Sequence, residues 1–375
     1  MTIESVQAIA LAYPEPHARN AERHLTLVRI ADDSGRVGWG EGISQFPEAT
    51  RATVALIEGG LSELVVGRDA MQIRGLWQTL VDRAFWYGTE GIAAFAISAV
   101  DMALWDLKGH LLNQSVASLL GGWVSRRVPA MASIVFDMDD TAWTVDQFKL
   151  FQQQGYRYVK AGWGMAPDAL FGMCRDRDER MVASIREAIG FEQELIVDVP
   201  GHYRLWDLPT AIARFQDLEP YRLRWIEQPL PPHDLEAHAR LRGAVSTPIG
   251  TGEDEWNVES YRNLIGAGGV DVVQIDPGRC LGITGSRQIL DLIEAANLEV
   301  SAHTWSSALN TAASLHLMAT TRHVVALDFK PHPSPMQHEL VTDPWVQVDG
   351  WLTLRERPGL GVEISEEAVA KYRAR

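Results

Sequence analysis

From about residue 128 onward the chain keeps one rhythm: a short apolar run rich in Val and Ile, then an amphipathic stretch of helix length. The runs that read as strands are 128–135, 156–161, 194–198, 223–227, 247–251, 271–276, 298–303 and 324–328. Helical patterns lie between them at 179–189, 208–216, 234–244, 258–265, 284–296 and 308–320. Short continuous apolar runs mark strands covered on both faces, as in a parallel sheet flanked by helices. Eight such units point to an α/β protein with a closed (β/α)8 TIM-type barrel. A doubly wound open sheet is the second architecture the rhythm allows.

The chain before the barrel reads differently. Residues 2–13 and 24–31 are rich in β-branched and apolar residues, and Asp32-Asp33-Ser34-Gly35 supplies a turn before Val37-Gly38-Trp39-Gly40. Helical patterns follow at 49–66, 71–85 and 91–119. Strands followed by segregated helices predict an α+β domain over residues 1–125, with the barrel over 126–344. Residues 345–375 carry turn pairs (Asp349-Gly350, Pro358-Gly359) and a short helical pattern near 365–373. This last segment is expected to return to the first domain.

Composition narrows the function classes. The 375 residues carry 34 basic and 49 acidic side chains, a formal charge of −15. That balance opposes nucleic acid or an anionic membrane as a partner and leaves a small-molecule carboxylate open, since a site can carry local positive charge. The two cysteines, Cys174 and Cys280, have neither CxxC nor zinc spacing. The N-terminus lacks a basic start and an unbroken apolar stretch, and the most apolar segment, 91–105, is interrupted by Asp101. A cytoplasmic protein is expected.

The strongest chemical signal is what stands at the strand ends. Asp198 closes one apolar run, Glu227 the next, and Glu253 follows the third; Asp276, His303 and Asp328 close the last three. Their separations of 29, 26, 23, 27 and 25 residues are each about one strand–helix unit. In a barrel these six side chains meet at the C-terminal mouth, where barrel active sites are built. Any one of them alone is explained as a polar cap ending a strand. Six in succession are not, because clustered buried carboxylates repel one another and lose hydration unless a cation or shared protons compensate. Three carboxylates without a thiolate suit a hard divalent ion, Mg2+ first and Mn2+ second, with Asp198, Glu227 and Glu253 as ligands.

The residues Val37-Gly38-Trp39-Gly40-Glu41, Ala99 to Asp106, Trp225-Ile226-Glu227-Gln228-Pro229-Leu230, Gly252-Glu253, Val273-Gln274-Ile275-Asp276 and Gly359-Leu360-Gly361 carry a resemblance. Their order and spacing resemble the mandelate racemase/muconate lactonizing enzyme branch of the enolase superfamily over nearly the whole chain. The resemblance implies an α+β capping domain over a modified (β/α)7β barrel, Mg2+ on Asp198, Glu227 and Glu253, and a substrate carboxylate bound at the metal. It also implies that His303 is a base oriented by Asp276, and that the chain forms a symmetric homo-oligomer.

Two departures bear on the reaction. Racemases of this family carry a Lys-X-Lys pair at the end of the second strand; here Lys160 matches the first lysine and Gly162 replaces the second, catalytic one. Two-base inversion thereby loses a base. This favours α-proton removal by His303 with departure of a β-hydroxyl, the dehydration of an aldonate or aldarate to a 2-keto-3-deoxy acid. Lys160 then balances carboxylate or enediolate charge. Asp328 stands where a glutamate commonly hydrogen-bonds the substrate carboxylate, one methylene shorter. His202, four residues past Asp198, is a candidate acid for the departing hydroxyl or a substrate-binding residue of the mouth. An epimerase or a sugar-acid lactone cycloisomerase is the alternative enzyme, and a non-catalytic binding protein the alternative class. Specificity is expected from loops 14–23 and 45–50 and from Trp86-Tyr87.

Overall fold

The structure, a computed structural model, describes residues 1–166 and 168–374. Strands β1 (Ile3–Glu15), β2 (Ala21–Asp32) and β3 (Val37–Gln45) form an antiparallel sheet in that order. Helices α1 (Pro47–Leu56), α2 (Ser62–Val65), α3 (Ile73–Arg83), α4 (Ile92–Leu112) and α5 (Val116–Leu119) follow. The alternate glycines of β3 set how closely α4 approaches the sheet. A β-carbon at Gly38, Gly40 or Gly42 would run into the carbonyls of Ala103, Ala99 and Phe95 respectively. Four residues of helix rise about 6.0 Å and two of strand about 6.7 Å, so the two repeats run in step.

Strands β4 (Arg127–Val135), β5 (Tyr158–Gly162), β6 (Glu194–Asp198), β7 (Trp225–Glu227), β8 (Ile249–Thr251), β9 (Val272–Ile275), β10 (Glu299–Ala302) and β11 (Val324–Phe329) pair in parallel in chain order. The sheet closes where β11 meets β4, with Leu327 opposite Ala130 and Phe329 opposite Ala132. Seven helices alternate with them: α6 (Thr141–Gln153), α7 (Arg175–Ile189), α8 (Leu208–Leu218), α9 (Leu235–Arg242), α10 (Val258–Ala267), α11 (Gly282–Ala295) and α12 (Ala308–Met318). A π-helical turn at Pro335–Glu339 stands where an eighth helix would follow β11, which makes the barrel (β/α)7β. Strand β12 (Trp351–Thr353) runs antiparallel to the start of β4, and after α13 (Glu366–Tyr372) Arg373 bridges to Leu11 of the first sheet.

Two helical expectations change. The pattern at 49–66 is interrupted by a π-helical turn, Ile57–Leu61, which contains the poor helix formers Gly59 and Gly60. The pattern at 91–119 breaks at Asn113, whose left-handed backbone (φ 54°) ends α4 before Ser115 caps α5. Helix α6, absent from the sequence reading, starts at Asp140, whose side chain accepts from the Trp143 N–H at 2.8 Å.

The barrel interior is filled by Met131, Tyr158, Ile196, Trp225, Val272, Val325 and Ala326. A larger core joins the helices to the outer barrel and one face of the first sheet, and a third fills the first domain. The two domains are tied by buried polar contacts. Asp101 of α4 accepts from the Thr284 N–H (2.8 Å) and hydroxyl (2.6 Å), and Trp77 donates to the Leu281 carbonyl at 2.8 Å. Trp105 is partly buried at this joint and donates to Thr284 Oγ1 at 2.9 Å. Among the described residues no helix is long and apolar enough to cross a membrane.

His316 of α12 is wholly buried and its Nδ1 accepts from the Ala117 N–H of α5 at 3.1 Å. Burial holds the imidazole down, from 6.5 to about 4. The unfolded chain therefore takes up a proton that the folded one refuses, so this stability is intact above pH 6.5 and is lost as pH falls toward 4. His316→Gln retains an acceptor for the N–H. Between pH 7.5 and 5 the native protein should lose about 2 kcal/mol more than this variant in urea unfolding.

Candidate active site

Parallel strands present their C-terminal residues at one end of the barrel, and the strand registers put the expected acids side by side. Asp198, the last residue of β6, lies opposite Glu227, the last of β7. Glu253 follows β8 by two residues, Asp276 and His303 directly follow β9 and β10, and Asp328 lies within β11. All six reach the same end, and Lys160 of β5 joins them from one residue pair deeper, in register with Ile196.

Lys160 Nζ lies 2.6 Å from Glu227 Oε1, 3.0 Å from Asp328 Oδ2 and 3.9 Å from Asp198 Oδ2. Burial alone would weaken its ammonium, but the surrounding carboxylates hold it well above its ordinary value. Burial also opposes ionisation of Glu227, yet Lys160 and the Trp225 N–H, 3.0 Å from Oε2, outweigh this and lower it. The other acids are less well served. Burial and then Glu227 push Asp198 far up, and burial raises Asp328 despite Lys160. Burial raises Glu253 to about 8 against the pull of His303. Asp198 Oδ1, Glu253 Oε2 and Asp328 Oδ1 are buried without a hydrogen-bond partner.

One ammonium among four buried carboxylates is too little positive charge. The unmatched oxygens of Asp198, Glu253 and Asp328, with Glu227 between Asp198 and Glu253 in the strand order, form a hard oxygen donor set that fits a divalent ion. Among the described residues no three His, Cys, Asp or Glu side chains are already gathered around one point as a coordination sphere. The Lys160 ammonium stands among them.

His303 Nδ1 lies 2.5 Å from Asp276 Oδ2. The other oxygen of Asp276 accepts from the Gly278 N–H (2.8 Å) and Asn310 Nδ2 (3.1 Å), which fixes the carboxylate's plane. With Nδ1–H donated to Asp276, the neutral ring carries its lone pair on Nε2, which faces Glu253 Oε2 at 3.9 Å. Burial lowers the imidazolium, but Glu253 and Asp276 more than offset this and lift it to about 9. Position 162 is closed to any side chain: a β-carbon on Gly162 would collide with the Asp198 carbonyl and Cβ.

His202 stands apart from this cluster. It is exposed, its ring centroid is 4.8 Å from that of Trp163 and 4.2 Å from that of Tyr203, and partial desolvation lowers its imidazolium. Among the described residues it makes no hydrogen bond to the strand-end acids. Of the capping-loop residues, Arg19 is exposed and pairs with Asp137 at 2.9 Å, and Arg23 lies over Trp305 at 4.8 Å. Trp86 is 90% exposed. Glu15 and His17, readable as an exposed turn, are buried: Glu15 is paired with Lys330, and His17 Nδ1 lies 2.9 Å from Glu15 Oε1. Lys330, two residues past Asp328 and just beyond β11, escaped the sequence reading. Glu41 was read only as part of a family string; it is fully buried and accepts from Ser306 and Ser307. Two surface cavities, about 400 and 460 Å3, lie elsewhere, one by Arg242 and Asp271 near the N-terminal ends of β8 and β9, the other by Trp206.

Comparison with known proteins adds to this geometry. The family described as "Mandelate racemase / muconate lactonizing enzyme, N-terminal domain" matches residues 9–121, and "Enolase C-terminal domain-like" matches residues 143–368. The chain is 29% identical over 362 residues to a D-galactarolactone cycloisomerase of Agrobacterium fabrum, covering 94% of this chain and 92% of that one. It is 30% identical over 359 residues to a D-galactonate dehydratase of Xanthomonas euvesicatoria pv. vesicatoria, covering 94% and 91%. A racemase from Streptomyces coelicolor A3(2), solved with bound magnesium, superimposes with a TM-score of 0.88 at 28% identity, covering 99% of this chain and 100% of that one. With both of its domains matched in order, the chain belongs to the mandelate racemase/muconate lactonizing enzyme branch of the enolase superfamily.

Proposed function

We propose that the protein is an acid-sugar dehydratase: it removes the proton α to a carboxylate and expels the β-hydroxyl to give a 2-keto-3-deoxy acid. The observation that carries this is the one-sided base. His303, held by Asp276, faces the carboxylate cluster, and the place of a second base is occupied by a glycine with no room for a side chain. Relatives that are dehydratases and a cycloisomerase of sugar acids support the substrate class.

A proton next to a carboxylate is very weakly acidic, and removing it puts a second negative charge on the same carboxylate. Asp198, Glu227 and Glu253 would hold Mg2+ or Mn2+, which would supply a Lewis acid for that oxygen charge. His303 Nε2 takes the α-proton. The Lys160 ammonium lies among the same acids and opposes the charge that develops. Asp328, biased toward its acid form, offers an O–H to a substrate carboxylate oxygen. When the β-carbon–oxygen bond breaks, His303 returns its proton to the leaving hydroxyl, so one residue serves as base and then acid. Water departs, and the enol tautomerises to the keto acid. His202, Trp163 and Tyr203 form an aromatic wall at the β5–β6 side of the mouth, suited to the hydroxyl-bearing part of the substrate.

The second reading is a lactone cycloisomerase, favoured by the 29% identity to the Agrobacterium enzyme. It needs the same single base, with a ring oxygen leaving in place of hydroxide.

A panel of aldonic, aldaric and lactone substrates with Mg2+ should yield a 2-keto acid from at least one linear acid. His303→Asn should lower that rate by at least about 10³-fold and leave Mg2+ binding in place. Ring opening of a lactone with no keto acid from any linear acid selects the cycloisomerase. Exchange of the α-proton for solvent deuterium without either product selects an epimerase.

Because the base must be neutral, kcat/KM should climb with pH as His303 loses its proton, reach half its limit near pH 9 and level off above it. A flat profile from about pH 6 to 10 would remove His303 from that role. His202→Ala should raise KM several-fold and leave kcat within about threefold, which steady-state kinetics on the same substrate would show.

A further inference from the structure

We propose that Glu41 of the capping domain is a positioning residue for the His303–Asp276 pair, acting through Ser306, Ser307 and Asn310. The inference rests on the reading of His303 as the base.

Glu41 lies in β3 and has no exposed surface. Its Oε1 accepts from the Ser306 hydroxyl, and its Oε2 from the Ser307 hydroxyl and, at 3.3 Å, from the Asn310 N–H. Those residues begin the segment that leaves His303. Ser307 caps α12 by accepting from the Leu309 N–H at 3.1 Å, so the Glu41 carboxylate lies at the N-terminal end of an eleven-residue helix. Asn310, in the first turn, sends its side-chain N–H to Asp276 Oδ1 at 3.1 Å and accepts from the Gly278 N–H at 3.1 Å. Asp276 in turn holds His303.

The same strand of the cap grips the other half of the pair. The Ile43 N–H donates to the Gly278 carbonyl at 3.1 Å, two residues past Asp276. The fit there is tight, since a β-carbon on Gly278 would lie 2.7 Å from Ile43 Cγ1 and 3.2 Å from Asp276 Oδ1. One strand of the cap thus holds both loops that carry the acid and the base, at residues two apart. No salt bridge to Glu41 occurs among the described residues, and burial raises its carboxyl despite the two serine hydroxyls. A joint that only needed shape could be apolar. A carboxylate gripping two hydroxyls and a helix N-terminus fixes orientation, and orientation is what a 2.5 Å histidine–carboxylate contact requires.

Glu41→Gln, Glu41→Asp and the double variant Ser306→Ala/Ser307→Ala test the assignment by two independent readouts. The first is the low-field proton resonance of the His303 Nδ1–H to Asp276 bond, identified by its absence in His303→Asn and needing no substrate. It should shift upfield or broaden by exchange in Glu41→Asp and in the serine double variant, and be partly restored in Glu41→Gln, which keeps the length of the side chain. The second is steady-state kinetics on whichever panel acid is turned over: kcat per folded protein should fall at least tenfold with KM within twofold. A resonance unchanged in all folded variants, or kcat per folded protein equal to the parent, overturns the proposal. If no panel acid reacts, the dehydratase reading fails, and the resonance still decides whether Glu41 positions the pair. Should Glu41 variants not fold, the serine variant carries the same test.

Discussion

Everything at the barrel mouth follows from the cost of gathering negative charge in a place with little water. Four carboxylates converge on Lys160, whose ammonium touches Glu227 and Asp328 and approaches Asp198. That one cation settles Glu227 and leaves Asp198, Asp328 and Glu253 with raised carboxyls and unmatched oxygens. Repulsion of this kind is destabilising to the fold and useful to the chemistry. The same carboxylates that crowd one another also raise the basicity of His303 beside them. Stability and reactivity are coupled through one electrostatic arrangement.

The capping domain is part of that arrangement as well as a cover for it. Its strand β3 packs α4 through one row of glycines and turns a buried glutamate toward the loop after β10. Its β1 ends in Glu15, which pairs with Lys330 just beyond β11; Lys330 in turn donates to the Ser306 carbonyl at 3.3 Å. Two acids from one domain therefore meet the same short turn of the other, one through a hydroxyl and one through an ammonium. Contacts between fully buried polar groups tolerate little displacement, because a partner lost there is not replaced by water. Buried polar contacts thus join the cap to the loops that carry Asp276 and His303.

Much of this was legible in the chain. Parallel strands buried on both faces must be short and apolar, so their ends stand out, and an ionisable residue at six successive ends could be read without coordinates. Lys160 was legible as a cation at the end of a strand, and it stands among the carboxylates. The contacts that position these groups were not legible. Ser306, Ser307 and Asn310 read as an ordinary helix start, and Glu15 and His17 as part of a polar loop. Glu41 lies more than 200 residues from Ser306, Ser307 and Asn310, and Lys330 as far from Glu15. Sequence periodicity carries no information across such distances. His202 shows what nearness in the chain leaves open: four residues past Asp198, its ring lies against Trp163 and Tyr203 in the 3-10 turn Gly201–Tyr203.

What the amino-acid order alone determined was the alternation of strand and helix, the closure it demands, and which side chains end each strand. These are local properties, set by solvent exposure and backbone geometry along a few residues. What only the tertiary structure decided was how charge is shared among those ends and which residues of the cap touch the loops that carry Asp276 and His303. Both depend on distances of about 3 Å between groups on different strands. Such distances exist only once the barrel has closed and the cap has seated against it.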